Sequence, residues 1–361
     1  MLFLIAGVGA AAWASLVPFA KSRLGLNEGV LGLLLLCLGA GSILAMPIAG
    51  ALVVRYGCRT VLTGATLVLC AALPFLGFVA TLPLLAAALF VFGAALGTAD
   101  CAVNIQAIMV ETGSGRPLMS GFHGFYSVGG IVGAATVSGM LTFGAPPLGA
   151  ALVAVALILA ALATAFRGLL PYGGAAGGPL FAVPRGIVLF LGVLCFVVFL
   201  VEGAMLDWSA VFLTQNRGMQ SAEAGFGFAC FSLAMTVGRL TGDAIVRKLG
   251  RRAVVAGGAW LATLGIILTT SIPSWQISLL GCALVGLGCS NIVPVLFSAV
   301  GRQRTMPQSV SVPALTTLGY MGILAGPAGI GLIAHHSSLS AALLCVAALM
   351  AGVALSSRIA A

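Results

Sequence analysis

Residues 29–59 read GVLGLLLLCLGAGSILAMPIAGALVV followed by RYGCR. The first part, 29–54, carries no charge. As a helix rising ~1.5 Å per residue it is long enough to cross the ~30 Å hydrocarbon core of a bilayer. It ends on Arg55, Gly57 and Arg59. An apolar run closed by a turn or a basic residue recurs along the whole chain. Membrane spans are predicted at 2–20, 29–54, 60–80, 84–110, 118–142, 147–167, 186–213, 222–247, 253–272, 275–299, 308–333 and 338–357, twelve in all. Gly and Pro inside them are tolerated, because neighbouring helices satisfy the backbone groups they free.

Composition excludes the other classes. Of 361 residues, 61% are hydrophobic and 6% charged, whereas soluble chains carry ~25% charged residues. No water-facing surface can be built from such a chain, and disorder needs the opposite balance. The net charge of +9 does not point to nucleic acid, since the basic residues stand mostly singly between apolar runs, where lipid headgroups explain them. The start has no charge before Lys21, so it reads as a first span and not as a cleaved signal peptide. Nine cysteines, with no CxxC pair and all but Cys58 in apolar runs, predict no disulfide, metal site or cofactor.

Orientation follows from the sixteen Lys and Arg residues. If both termini are cytoplasmic, only Lys21, Arg23 and Arg217 fall on the outer side. That bias places both ends inside. A Gly- and Pro-rich stretch, 168–184, separates spans six and seven, so the expected organisation is a six-helix bundle over 1–167, a cytoplasmic linker, and a second bundle over 185–361.

The two bundles read as copies. Trp13 and its neighbours are echoed at Trp208, Glu28 and Gly32 at Glu223 and Gly227, and Arg55-Tyr-Gly57-Cys-Arg59 at Lys248-Leu-Gly250-Arg-Arg252. Leu96-Gly-Thr-Ala-Asp100 returns as Leu287-Gly-Cys-Ser-Asn291, and Gly129-x3-Gly133 as Gly322-x3-Gly326. All the offsets lie between 191 and 195 residues. Parallel repeats of this kind are one transporter plan, with the binding site near the membrane midplane.

Gly50-Ala-Leu-Val-Val-Arg55-Tyr-Gly57-Cys-Arg59 resembles the G-x-x-x-D-R-x-G-R signature of the major facilitator superfamily, and Gly242–Arg252 repeats it more weakly. The resemblance implies an all-α fold of twelve transmembrane helices in two pseudo-symmetric six-helix bundles. Gly97–Gln106 followed by Met119–Ser127 resembles, within the superfamily, a bacterial branch near the fucose-permease type of proton-coupled sugar symporters. Two departures stand out. Val54 replaces the signature Asp, which in the family helps to latch the cytoplasmic gate. The Gly-Pro signature of drug–proton antiporters is missing from span five; Gly322-x3-Gly326-Pro327 echoes it in span eleven.

Ionisable groups inside membrane spans cost ~2.5–3.5 kcal/mol at the centre and face the bundle interior. Asp100 is the first candidate for proton coupling: it lies about ten residues, ~15 Å, from the cytoplasmic end of span four. Asn104, Ala107 and Glu111 share its face. His123 in span five, on one face with Ser120 and Ser127, is a candidate relay within reach of Asn104, and Glu202 in span seven is the third coupling candidate. Asn104, Asn291, Trp13, Trp208, Tyr126 and Asp207 are candidates for the substrate cavity. For Asp100 and Asn291 the bland alternative is helix bracing, and for the two Trp a place in the interfacial aromatic belt, the commoner role. Arg55 and Arg59 belong to the gate loop. Arg239 and Asp243, four residues apart, read as a structural pair or gate latch. Gly93-x3-Gly97 and Gly129-x3-Gly133 read as close-packing motifs.

No nucleotide-binding signature, H-E-x-x-H or G-x-S-x-G occurs, so an enzyme is not expected. The reading that remains is a secondary transporter, a monomer in a bacterial inner membrane. It would move a small, neutral polar solute by alternating access, with symport of H⁺ favoured over antiport. Drug or metabolite efflux by proton antiport, and a sensor on the same scaffold, are the alternatives.

Overall fold

The computed structural model of the chain describes residues 1–173, 183–220 and 223–360; positions 174–182 of the expected linker lie outside the described residues. The described residues form helices joined by short turns, with no strand among them. In chain order the helices are α1 (Leu2–Leu24), α2 (Glu28–Phe78), α3 (Leu82–Ser114), α4 (Met119–Thr142), α5 (Pro147–Ala165), α6 (Ile187–Arg217), α7 (Phe226–Leu249), α8 (Arg251–Ser271), α9 (Trp275–Cys289), α10 (Ile292–Arg302), α11 (Gln308–His336), α12 (Leu339–Leu355) and the short α13 (Ser357–Ala360). Among the described residues, ten helical stretches are long and apolar enough to cross a membrane, α9 and α10 together forming one of them. Helix α2 crosses twice and α12 is a shorter apolar helix, which gives the twelve expected spans.

The turn inside α2 is where the signature loop works. Gly57 breaks the helix at φ 79°, ψ 159°. Gly250, between α7 and α8, stands at φ 81°, ψ 157°. This is left-handed territory that a side chain rarely enters. The repeat seen in the sequence is therefore also a repeat of backbone geometry. The close-packing motifs repeat as well: a Cβ at Gly93 would collide with the carbonyl oxygen of Leu38, and one at Gly286 with that of Phe231. Gly129 is held in the same way by Leu4, and Gly322 by Phe196.

The chain divides into two compact units. The first comprises Met1–Val110, Phe125–Val183 and Met306–Ala314; the second comprises Glu111–Gly124, Pro184–Thr305 and Leu315–Ala361. Within the first, α1 packs on α2 and α5; within the second, α9 packs on α7 and α8, and α12 on α8.

Each unit ties the ends of two spans together with one arginine. Arg23, in the last turn of α1, donates from Nε to Val79 O (2.9 Å), from Nη2 to Leu76 O (2.9 Å) and from Nη1 to Gly77 O. Arg217, ending α6, donates from Nη2 to Thr269 O (2.6 Å) and Thr270 O (2.8 Å) and from Nε to Ser278 Oγ (3.1 Å). Its guanidinium also lies 4.7 Å from the Phe212 ring centroid. The carbonyls concerned sit at the ends of α2 and α8, where a helix has no internal partners left. A cation there also meets the negative end of the helix dipole.

Arg23→Gln and Arg217→Gln should each lower the thermal unfolding midpoint of the detergent-solubilised protein, by the ~1–3 kcal/mol that orphaned polar groups cost. Lys at either position should restore only part of the loss, because one ammonium cannot span the carbonyls that a planar guanidinium reaches. An unchanged midpoint in the Gln variants would show that the carbonyls find other donors.

Candidate functional site

The N-terminus of α4 is built to hold two carboxylates. The first hydrogen bond inside the helix runs from Phe122 N to Leu118 O (3.1 Å). The amides of residues 118–121 are therefore the four that a helix start leaves unpaired. Leu118 N and Met119 N donate to Glu111 Oε2 at 2.8 and 2.9 Å. Ser120 N donates to Asp243 Oδ1 at 3.0 Å and Gly121 N to Asp243 Oδ2 at 2.9 Å. Glu111 comes from the end of α3 and Asp243 from α7. Two anions thus face the positive end of the helix dipole, and bonds to charged groups are the strong kind, ~1.5–3 kcal/mol each. Glycine at 121 permits the approach, since a Cβ there would sit 2.6 Å from Asp243 Oδ2.

A few residues from Asp243 along α7, a second polar cluster surrounds a broken helix. Span ten is interrupted between α9 and α10 by Ser290 and Asn291. Asn291 takes the N-cap position of α10 at φ −110°, ψ −3°, with Pro294 in the first turn, where its missing N–H costs nothing. Asn291 Nδ2 donates to Gly238 O (3.0 Å) and to Ser290 Oγ (2.9 Å). Its Oδ1 is buried against Gly242 without a hydrogen-bond donor. Arg239, only 5% exposed, pairs with Glu202 through Nη2–Oε1 at 3.2 Å and directs Nε at Ser290 O at 3.4 Å. The guanidinium lies at the carbonyl end of α9, where the helix dipole favours a cation. Removing one partner of such a buried pair costs ~3–5 kcal/mol. His123 is also buried: its Nδ1 faces Met119 O at 3.0 Å and its ring centroid is 5.6 Å from that of Phe297 on α10.

The C-terminal half of α6 has a different character. Asp207 is exposed, about ten residues and ~15 Å from the C-terminal end of its helix. No hydrogen bond or ion pair holds it among the described residues. A carboxylate at that depth cannot face hydrocarbon unpaired, so its exposed side must meet water. Beside it, Trp208 Nε1 and Ser209 Oγ are buried without a partner, and the Trp208 ring packs near Gly331 of α11.

In the first unit, Asn104 Nδ2 donates to Asp100 O (2.9 Å) and approaches Asp100 Oδ1 at 3.4 Å. Asn104 is 1% exposed with Oδ1 unsatisfied, while Asp100 is only partly buried. Tyr126 is partly buried. At the signature loop, the first residues of the linker form a strap. Cys58 N donates to Tyr172 O (3.3 Å) and Arg59 N to Leu170 O (2.8 Å). The Arg59 side chain donates from Nε and Nη2 to Leu169 O at 3.1 and 2.8 Å and lies over the Phe166 ring. Leu170 N is taken by Gln106 Oε1 at 3.1 Å. Gly57 and Gly173 let the strap sit down, since a Cβ at either would strike the opposing backbone.

Residues 1–303 match the family described as the Major Facilitator Superfamily. The chain belongs to the Major Facilitator Superfamily. An uncharacterised MFS-type transporter of Yersinia pestis is 55% identical over 359 residues, covering 99% of this chain and 94% of that one. The fold is that of the E. coli fucose:proton symporter FucP, with a TM-score of 0.83 at 16% identity over 100% of this chain and 97% of the other. The proton:xylose symporter XylE superposes with a TM-score of 0.74 at 14% identity, covering 98% of this chain and 94% of that one. The protein is thus a multi-pass membrane transporter of this superfamily.

Against that fold, the structure assigns partners that differ from several expectations. Arg239 and Asp243 were expected to pair; they are given separate partners, Glu202 and the start of α4. The reason is direction: the amides of α4 offer Asp243 two donors at once. Trp13 is 4% exposed and therefore not a belt residue. Trp208 too has its indole nitrogen buried, while Trp260 and Trp275, 48% and 42% exposed, occupy such outward positions. The Nδ1 of His123 is taken by its own helix and Asn104 by Asp100, so the hydrogen bond expected between these two is not what these groups show. The break at 290–291 was missed, although Asn291 with Pro294 three residues on is a helix-start signal.

Asp243→Asn should speed amide hydrogen exchange over residues 118–124, because Ser120 N and Gly121 N each bond a different carboxylate oxygen and the NH₂ group that replaces one of them cannot accept. Adding Glu111→Gln should speed it further. Exchange unchanged in both variants would show that the carboxylates do not hold this helix start.

Proposed function

We propose that the protein moves a small, neutral polar solute across a bacterial inner membrane by alternating access, coupled to H⁺ in symport. It would work as a monomer with both termini in the cytoplasm. The observation that carries the reading is the C-terminal half of α6. There an exposed in-span carboxylate, Asp207, stands beside a buried indole N–H, Trp208, and neither has a partner among the described residues. An acceptor and a donor left open at successive positions, ~100° apart around the helix, suit a solute bearing hydroxyl or amide groups that reaches round to both. An unmet buried N–H costs ~1–3 kcal/mol, so a solute that meets it recovers that amount on binding.

Asp100 is the proton site in this reading. It is partly exposed within span four, and Asn104 holds its backbone and approaches its carboxyl oxygen. Glu202, already paired with Arg239, is better suited to bracing the broken helix. His123, buried with Nδ1 engaged, suits a structural role more than a relay. The two repeat-related positions then divide the work: Asp100 titrates, and Asn291 organises the helix break. The likeness in fold to proton-coupled sugar carriers is compatible with this scheme.

The test is uptake of a panel of neutral sugars and polyols into proteoliposomes, with and without an imposed pH gradient. The gradient should drive accumulation in the native protein. Asp100→Asn should abolish accumulation while leaving exchange of labelled for unlabelled solute intact. Accumulation retained in Asp100→Asn would remove Asp100 from the coupling role. Solute binding without any flux would favour the sensor, and solute-driven proton movement in the opposite sense would favour antiport. Trp208→Phe keeps the ring and removes the donor, so it should raise the half-saturating solute concentration about fivefold, equivalent to ~1 kcal/mol. An unchanged value would take the indole out of the site.

A further inference from the structure

The first unit carries a lipid-facing groove that the transport reading does not use. It has a volume of about 410 Å³ and lies between the two arms of α2 and the middle of α3. Its walls are almost wholly apolar, with Leu52, Tyr56, Gly64, Val68, Phe90 and Thr98 among them. Several of these face outward, Tyr56 by 47% and Val68 by 45%. A polar solute finds no charged group in these walls, so the groove is not a second substrate site.

Its mouth is different. Arg55 lies over the Tyr56 ring, 5.2 Å from the centroid. It is exposed, and no hydrogen bond or ion pair engages it among the described residues. Arg59, one turn on, is engaged through Nε and Nη2 by the strap carbonyl of Leu169 and lies over the Phe166 ring. A guanidinium held on an aromatic face, with its donors free, matches the geometry of a phosphate. The signature loop lies on the cytoplasmic side by the charge bias, where anionic lipids gather and basic pockets between spans bind their headgroups.

We propose that the groove binds an anionic phospholipid of the cytoplasmic leaflet, with its phosphodiester on Arg55 and one acyl chain between the arms of α2 and α3. The apolar walls hold the chain and the stacked guanidinium selects the headgroup. Val54 contributes here as well. The family's signature acid at that position would place a carboxylate directly before Arg55 and compete with the lipid for it; a valine leaves the guanidinium available. The site is independent of whatever solute is carried.

The full-length protein is tested by native mass spectrometry after equilibration with equal amounts of palmitoyl-oleoyl phosphatidylglycerol and phosphatidylethanolamine. The native chain should retain the glycerol lipid preferentially. Arg55→Gln, on an exposed side chain, should reduce that preference about fivefold, the factor that one basic residue at an anionic surface is worth. Gly64→Leu fills the groove from a position with nothing within 4 Å of the added Cβ, and should lower retention of both lipids. Thermal unfolding of each variant confirms that it is folded. Equal retention of the two lipids by the native chain, or a preference that survives Arg55→Gln, would overturn the headgroup assignment. Unchanged retention in folded Gly64→Leu would overturn the acyl-chain assignment, as would release of the lipid by inorganic phosphate alone.

Discussion

Hydrocarbon offers no hydrogen bonds, so every backbone N–H and C=O in a membrane span must find its partner within the protein. Inside a helix this is automatic. At an end or a break it is not, and those are the places where this chain spends its few polar residues. Arg23 and Arg217 serve the carbonyl ends of α2 and α8. Glu111 and Asp243 serve the amide end of α4. Arg239 and Asn291 attend the break between α9 and α10. With 6% charged residues, little is left for anything else. An in-span acid that no helix end claims is therefore informative, and Asp207 is such a residue.

Duplication explains why the solutions come in pairs. Gly57 and Gly250 share one backbone conformation, and Gly93 and Gly286 each admit a neighbouring carbonyl. Arg23 and Arg217 make equivalent clamps 194 residues apart. Steric and backbone requirements have survived the divergence of the halves, because few residues other than glycine meet them. Charges have not. Asp100 stands opposite Asn291, and the acid that caps α4 from α7 aligns, at the Gly57–Gly250 offset, with Gly50. What the halves still share is scaffold, and where they differ, they differ in charge.

Much of this was legible in the residues themselves. Span count, repeat, signature loop and close-packing glycines follow from hydropathy and spacing, which depend on local sequence and on the bilayer's fixed thickness. Partners were less legible. Spacing of four on one helix suggested that Arg239 would meet Asp243, but the paired amides of α4 are a better acceptor's target and lie more than a hundred residues away in sequence. Trp13 read as either a cavity residue or an interfacial ring, because hydropathy cannot tell which face of a wholly apolar helix is turned inward. The strap over the signature loop was hidden for a similar reason: Leu169–Gly173 looks like the start of a linker, and only Gly57 and Gly173 hint that two backbones meet there.

The aligned pair Gly50 and Asp243 shows how unlike the two joints have become. In the first unit a Cβ at Gly50 would strike Ser309 O, close to the start of α11, so that contact is backbone against backbone and rests on dispersion. In the second unit Asp243 meets the start of α4 with two charge-assisted bonds, and Glu111 adds two more. Dispersion between close-packed surfaces fades gradually as they slide, whereas a carboxylate pulled from its amides loses its bonds within an ångström or so and leaves two donors open. The two contacts therefore resist displacement differently: the glycine contact permits small adjustments, and the carboxylate contact is either made or broken. Under the alternating access proposed for this chain, a two-state joint of that kind is what allows the start of α4 to have one well-defined resting position, and its strength depends on charge that the aligned position of the first half, Gly50, lacks.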